Sequence, residues 1–304
     1  VIDRRRPLLV NRGEEAVDAA VSEAATKYGG RVFPKVRVAD ALNIQSSGLS
    51  DAEYRYALKA HFDFVVVDES NLPQFAIEFD EPHHDTDPDT ILRDQMKAST
   101  CERLGLPLVR VDAGYLRRAR DYVLVGWLVE VWFAYRWFVE AKEQGEFGPD
   151  EPWGHQWIAQ RDSEGRIVDM PLDLSGPARS QLIRAPEGTG CYAELHKMDP
   201  QYERIHAVAF VVVELRDGSY IISEGRCRLI DFPPFEFRGC SDLARDLALI
   251  DAADKLALLR RGEYRPATKA ELDKLRADTS DWFVSGIPFD ELRRPGKGKP
   301  QSRL

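Results

Sequence analysis

Residues 61–112 read HFDFVVVDESNLPQFAIEFDEPHHDTDPDTILRDQMKASTCERLGLPLVRVD, and this stretch decides the fold. It opens with two runs of strand length, residues 63–68 and 75–80, rich in Val, Ile and Phe. The segment ESNLPQ between them carries turn-forming residues, so the pair predicts an antiparallel hairpin. With the turn centred near Asn71 and Leu72, Asp63 falls opposite Asp80, and Glu78 lies two residues along the same face. Alternate residues on a strand share a face, as do residues opposed across a pair. The expectation is three carboxylates on one small patch.

Carboxylates packed together on an apolar sheet repel one another and are costly to desolvate. A hard divalent cation removes that cost, and Mg²⁺ characteristically takes one or two carboxylates plus waters and substrate phosphate. Asp63, Glu78 and Asp80 are therefore the candidate ligands for Mg²⁺ or Mn²⁺. The alternative is that all three lie on the solvated face of an edge hairpin.

Downstream, Asp87 reads as an N-cap, with Pro88 in the first turn and Asp89 near the positive end of a helix. That helix runs to about Leu104 and stops at Gly105. Arg93 and Lys97 stand four residues apart, hence on one face. A third strand over residues 106–112 follows. Strand, strand, helix, strand, with acids on the hairpin and cations on the helix, is a recognisable order.

These residues resemble the PD-(D/E)XK nuclease superfamily, in a bacterial branch akin to very-short-patch repair endonucleases. The likeness rests on Asp63-Phe64-Val65, Ile77-Glu78-Phe79-Asp80, His84-Asp85, Arg93-Asp94 and Gly105-Leu106-Pro107-Leu108-Val109-Arg110. Upstream it takes in Leu8-Leu9-Val10-Asn11 before Glu14, and Arg31 to Asp40. It covers residues 8 to about 115. The resemblance implies an α/β, restriction-endonuclease-like mixed sheet flanked by helices, and a metal-dependent nuclease acting on DNA rather than RNA. One departure stands out. The superfamily's lysine two residues past the metal-binding acid is Asp80 here, so Lys97 or Arg93 would have to supply the positive charge from the helix. A catalytically silent copy, kept for binding nucleic acid or as a scaffold subunit, is the competing expectation.

Asn11 with Glu14 three residues on reads as a capping box that opens a helix to about Lys27, with Ala16, Val17, Ala20, Val21 and Ala24 as its apolar stripe. In the fold it resembles, this helix leans on the catalytic sheet and Glu14 can approach the metal. Gly29 and Gly30 end it, and residues 31–38 read as a strand. Residues 43–60 read as a polar loop with helical character at 52–60. Of the paired histidines, His84 fits the relatives' histidine and can serve as general acid or base, its ordinary pKa lying near working pH. His83, its neighbour, points elsewhere, and three consecutive residues seldom wrap a tetrahedral zinc.

The chain has 304 residues, a formal charge of −9, 43% hydrophobic and 31% charged residues, enough length for one large or two medium domains. The acidic balance excludes a protein that coats nucleic acid by bulk attraction. It leaves room for a nuclease with local basic contacts, for which Arg4-Arg5-Arg6 and Arg117, Arg118 and Arg120 are candidates. Four cysteines without C-x-x-C pairing write no zinc ribbon or redox motif. No cleavable signal segment is read at the start, so a reducing, cytoplasmic setting is expected.

Residues 122–139, YVLVGWLVEVWFAYRWFV, are the most apolar segment. Glu130 and Arg136 would each cost about 3 kcal/mol in a bilayer, which cancels the apolar gain, so the expectation is a buried connecting helix and no membrane span. It would pack between domains or against another subunit, as a homo-oligomer or with a protein partner in a larger repair or defence complex. A polar linker over 140–153 follows. Hairpins are expected from 156–159 with 166–170, and from 207–215 with 220–229 across Asp217-Gly218. A strand at 235–237 and an amphipathic helix over 241–261 complete a small α+β domain. The β-β-β-α order is similar to double-stranded-RNA-binding domains, but residues 240–246 lack the basic helix start those use. The domains expected are 1–120, a helix over 121–145, an accessory domain over 146–290, and a basic tail over 291–304 whose composition predicts disorder.

Overall fold

The computed structural model describes residues 8–9, 11–80, 88–198, 206–235 and 239–279. His83, His84, Asp85, Asp87, Arg4 to Arg6 and the tail lie outside them. The chain divides into two compact units, one of Val1–Asp173 with Ile230–Glu236, the other of Leu174–Leu229 with Phe237–Leu304. The first unit therefore runs beyond residue 120, and the apolar helix and the segment up to Asp173 belong to it.

In the first unit, helix α1 (Arg12–Thr26) starts where the Asn11 side chain accepts the Glu14 N–H at 2.7 Å. Its buried stripe is Val17, Val21, Ala24 and Ala25, one step round from the expected one, so Ala16 is exposed. Strand β1 (Arg31–Arg37) leads to two short helices, α2 (Val38–Ala41) and α3 (Asp51–Ala57). The second has a full capping box, with Ser50 and Glu53 each bonding the other's backbone. The hairpin comes next as β2 (His61–Val67) and β3 (Pro73–Phe79). Helix α4 (Pro88–Leu104) ends at Gly105, whose φ of +73° is the left-handed stop that glycine tolerates. Strand β4 (Leu108–Val111) closes the sheet.

The sheet order is β1-β2-β3-β4, antiparallel except for the parallel β3–β4 pair that the α4 crossover joins. One face packs Val65, Val67 and Ala76 with Cys101 and Leu106 around the second and third helices and α4. After a two-residue hairpin of β5 (Arg118–Ala119) and β6 (Tyr122–Val123), helix α5 (Leu124–Glu143) begins. It falls within the helix expected over 121–145 and takes the first residues of the segment 140–153 read as a linker. Most of its 20 residues are buried within this unit. Trp127 donates to Leu172 O at 3.1 Å and Trp132 to Gln74 Oε1 at 3.3 Å, while Trp137 is exposed. Burial of the indoles with their N–H groups bonded is what packing tryptophans do. No helix among the described residues is long and apolar enough to cross a membrane.

The next hairpin is smaller than expected: β7 (Gln160–Arg161) and β8 (Ile167–Asp169), so residues 156–159 are not its first strand. The chain returns to this unit at Ile230–Glu236, where Phe232 stacks on Trp132 with centroids 5.2 Å apart. Phe235 is in a bend rather than the strand expected at 235–237, whose other two positions lie outside the described residues.

The second unit begins with helix α6 (Gly176–Ile183) and continues with β9 (Gly188–Met198), β10 (His206–Leu215) and β11 (Tyr220–Arg228), in sheet order β11-β10-β9. The hairpin across Asp217-Gly218 is as expected, and the third strand is β9. Helix α7 (Gly239–Arg260) crosses the sheet so closely that a Cβ at Gly225 would stand 1.9 Å from Ala244 O. Only glycine permits that approach. Helix α8 (Lys269–Asp278), opened by a Thr268–Glu271 capping box, buries Leu272 against Val212 and Tyr220.

Candidate active site

The expected carboxylates lie toward one end of the sheet, each paired with its own cation and not in the expected register. Phe64 pairs with Ile77 and Val65 with Ala76, a bulge separates Val66 from Val67, and Asn71 has φ +62°. Continued by one residue, that register sets Asp63 across from Glu78 and not from Asp80. The connection, residues 68–72, is shorter than the ESNLPQ turn expected and sits nearer the start of the hairpin, so that Pro73 and Gln74 belong to β3. Beyond Phe64 the ladder gives way to a side chain, because the Phe79 N–H donates to Asp63 Oδ2 at 3.0 Å.

Two lysines stand among these acids. Lys35, on β1 at φ +54°, places Nζ 2.7 Å from Asp63 Oδ1 and 3.0 Å from Glu14 Oε1. Burial works against the charged ammonium, but the bonds from Asp63 and Glu14 outweigh it and raise its pKa. Glu14 is thus both in the first turn of α1 and turned toward the sheet, with its backbone N–H serving the cap. Lys97, from α4, donates to Glu78 Oε2 at 2.5 Å and to His61 O at 2.9 Å. Arg93, one turn earlier, is exposed. The cation that meets Asp80 is Arg110 of β4, at 3.5 Å, and it also pairs with Asp94 at 3.1 Å.

Glu78 is the unusual member. It is 7% exposed, and its Oε1 has no hydrogen-bond partner. Burial pushes its carboxyl up to about 7, against the pull of Lys97 and with help from the Asp63 charge. A buried carboxylate oxygen without a partner is costly, and such groups call for an ion, a proton or a substrate. Among the described residues, the network holds Glu14, Asp63, Glu78, Asp80 and Asp94 against Lys35, Lys97 and Arg110. Fully ionised, it carries two surplus negative charges.

No group of three or more His, Cys, Asp or Glu among the described residues stands close enough to form a ready-made metal cage. Lys35 bridges Asp63 and Glu14, and Glu78 is paired with Lys97. The donor chemistry nonetheless suits a hard divalent ion: carboxylate oxygen ligands and, at Glu78, one orphaned carboxylate oxygen. Sequence reasoning missed Lys35. A lysine between Pro34 and Val36 on an edge strand reads as solvated, and only its left-handed backbone turns it inward. Arg110 stood in the quoted motif without an assigned task.

Residues 7–123 match a family described as a protein of unknown function (DUF2726). Every residue of the network lies inside that match, while all of α5 and all of the second unit lie outside it. The chain matches no curated protein and no solved structure.

Proposed function

We propose that the first unit is a metal-dependent nuclease that hydrolyses phosphodiester bonds of DNA. The observation that carries this reading is the buried Glu78 carboxylate with an unpartnered oxygen, set beside Asp63 and Lys97 at one end of the sheet. The order α1, β1, β2, β3, α4, β4, interrupted only by the short helices α2 and α3 between β1 and β2, with β4 parallel to β3, supports it, since a restriction-endonuclease-like core is what the motifs imply. Asp63 and Glu78, with Asp80, would hold Mg²⁺ or Mn²⁺. When bound, the ion supplies an activated water and neutralises charge on the scissile phosphate.

The chain's own residues then have separate tasks. Lys97 keeps a positive charge beside Glu78 and stabilises negative charge as it develops on the phosphate, in place of the absent motif lysine. Lys35 orients Asp63 and ties it to Glu14. Arg110 fixes Asp80 against α4 through Asp94. The Phe79 N–H holds the second oxygen of Asp63, so the carboxylate is fixed before any ligand arrives.

A second reading, a silent fold used for nucleic-acid binding or as a scaffold, has one observation behind it: Asp63, Glu78 and Asp80 are each already matched to a cation. Supercoiled plasmid, linear duplex and single-stranded DNA incubated in Mg²⁺, Mn²⁺ or EDTA separate the two. The nuclease cleaves only with metal and loses about 100-fold or more of its rate in Asp63→Asn and Glu78→Gln. Absence of cleavage, together with absence of Mn²⁺ binding by calorimetry, sinks the nuclease reading in favour of the scaffold.

A further inference from the structure

Beside the carboxylate network, the first unit contains a cleft of about 520 Å³ over β1 and β2. Its floor is Val65, which is buried, and its wall is Phe33, the residue paired with Val65 across the two strands. Phe33 is 42% exposed, although it sits on a sheet face otherwise closed by α4 and the short helices. Exposed His61 and Asn71 stand at the cleft with Lys35 and Arg37. Two of these residues also belong to the network: Lys35 bonds Asp63 and Glu14, and His61 lends its carbonyl to Lys97. The cleft therefore abuts the candidate active site.

The chemistry of the lining narrows the ligand. Lys35 is engaged with two carboxylates, and Arg37 is forked onto Asp40 at 2.6 and 3.1 Å. The cations are spoken for, so a phosphate is not what the cleft is built around. What remains is an exposed aromatic residue, Phe33, with the hydrogen-bonding side chains of His61 and Asn71 beside it, the combination that takes a planar, edge-polar ring. A peptide strand is a poor occupant. β1 is the sheet edge, but Pro34 withholds an N–H there and Lys35 at φ +54° breaks the strand's regular course. The volume falls within the roughly 300–1,000 Å³ of small-ligand sites. It has room for an unstacked base and its sugar, not for a duplex.

We propose that this cleft receives an unstacked base of single-stranded DNA, stacked on Phe33, and so delivers a single strand rather than a duplex to the neighbouring carboxylates. Delivery for cleavage rests on the nuclease reading, but the binding itself does not need the metal. The net charge of −9 fits this choice, since bulk attraction to a duplex is absent and stacking must supply affinity.

The test is fluorescence anisotropy of a short labelled single strand, and of the same sequence annealed as a duplex, with the full chain in EDTA. The single strand is expected to bind more tightly than the duplex. Phe33→Ala and Phe33→Leu should weaken single-strand binding by about 5- to 100-fold, and Phe33→Tyr should restore it. Phe33→Leu keeps apolar bulk without the ring, so its loss separates stacking from damage to the fold. Binding that prefers the duplex, or that ignores Phe33→Ala, overturns the proposal. Metal-dependent cleavage that is unchanged in Phe33→Ala also overturns it, while leaving the nuclease reading intact. Phe33-dependent binding by a protein that cleaves nothing in any metal supports the cleft and removes the nuclease.

Discussion

Glu78 in the first unit and Asp246 in the second are 7% and 1% exposed, and each faces a cation. Their surroundings differ. Asp246 of α7 accepts the Ser175 hydroxyl at 2.6 Å, lies 3.8 Å from Arg179 Nη1, and has no buried oxygen lacking a partner. Ser175 and Arg179 come from the start of α6, so this carboxylate joins two helices and its bonds are complete. Glu78 joins β3 to α4 through a single lysine and leaves Oε1 unmet. A satisfied buried network specifies packing, whereas an incomplete one is unfavourable unless something else fills it. The difference separates a structural carboxylate from one poised for a ligand.

The largest expected effect comes from removing the lysine. Lys97→Met leaves a charged, buried Glu78 and should lower unfolding free energy by about 3–5 kcal/mol at pH 8 in urea titrations. At pH 5.5 the cost should shrink, because Glu78 then carries a proton. Glu78→Gln combined with Lys97→Met should recover most of the loss. A cost independent of pH would break the contrast, for it would mean that Lys97 is anchored by His61 O alone.

Next is the pH dependence of Glu78 itself. Its folded pKa, about 7, lies above the ordinary carboxyl value of 4.5. The stability it contributes is fully present below pH 4.5 and is lost as pH rises through 7. Wild type should therefore lose about 3 kcal/mol relative to Glu78→Gln between pH 4.5 and 8.5. A flat difference would show that Glu78 is solvated. Metal binding has the opposite trend, since the ligand must be ionised: Mn²⁺ affinity should rise through pH 7.

The smallest effect belongs to the comparison residue. Asp246→Asn should cost about 1–3 kcal/mol through its bonds to Ser175 and Arg179. It should leave Mn²⁺ binding and DNA cleavage as in wild type. An altered metal affinity in this variant would remove the distinction between the two carboxylates.

Much of the first unit was legible because its signals are local. Asn11 caps α1, the Val- and Phe-rich runs make the hairpin, and Gly105 stops α4 where a left-handed residue is needed. The site was partly legible for the same reason. Asp63, Glu78 and Lys97 could be placed on elements whose periodicity is clear. The pairing of Asp63 with Glu78 was not, because the bulge at Val66 and the turn at Asn71 shift the register by two, and neither is written in composition. Lys35 depended on a single backbone torsion. In the second unit β9 went unread, since Gly188-Thr189-Gly190-Cys191 begins it with residues that weaken strands, and its pairing with β10 is non-local.

At the end of the hairpin, the Phe79 amide is bonded to the Asp63 carboxylate where a backbone carbonyl would ordinarily complete the ladder. One rung of the sheet is therefore ionisable chemistry and not main chain. The exchange of that single amide proton with deuterated solvent, or its chemical shift, reports the state of the carboxylate from within the backbone. A cation that draws Asp63 away from Phe79, or a proton that neutralises it, registers there without any substrate being turned over.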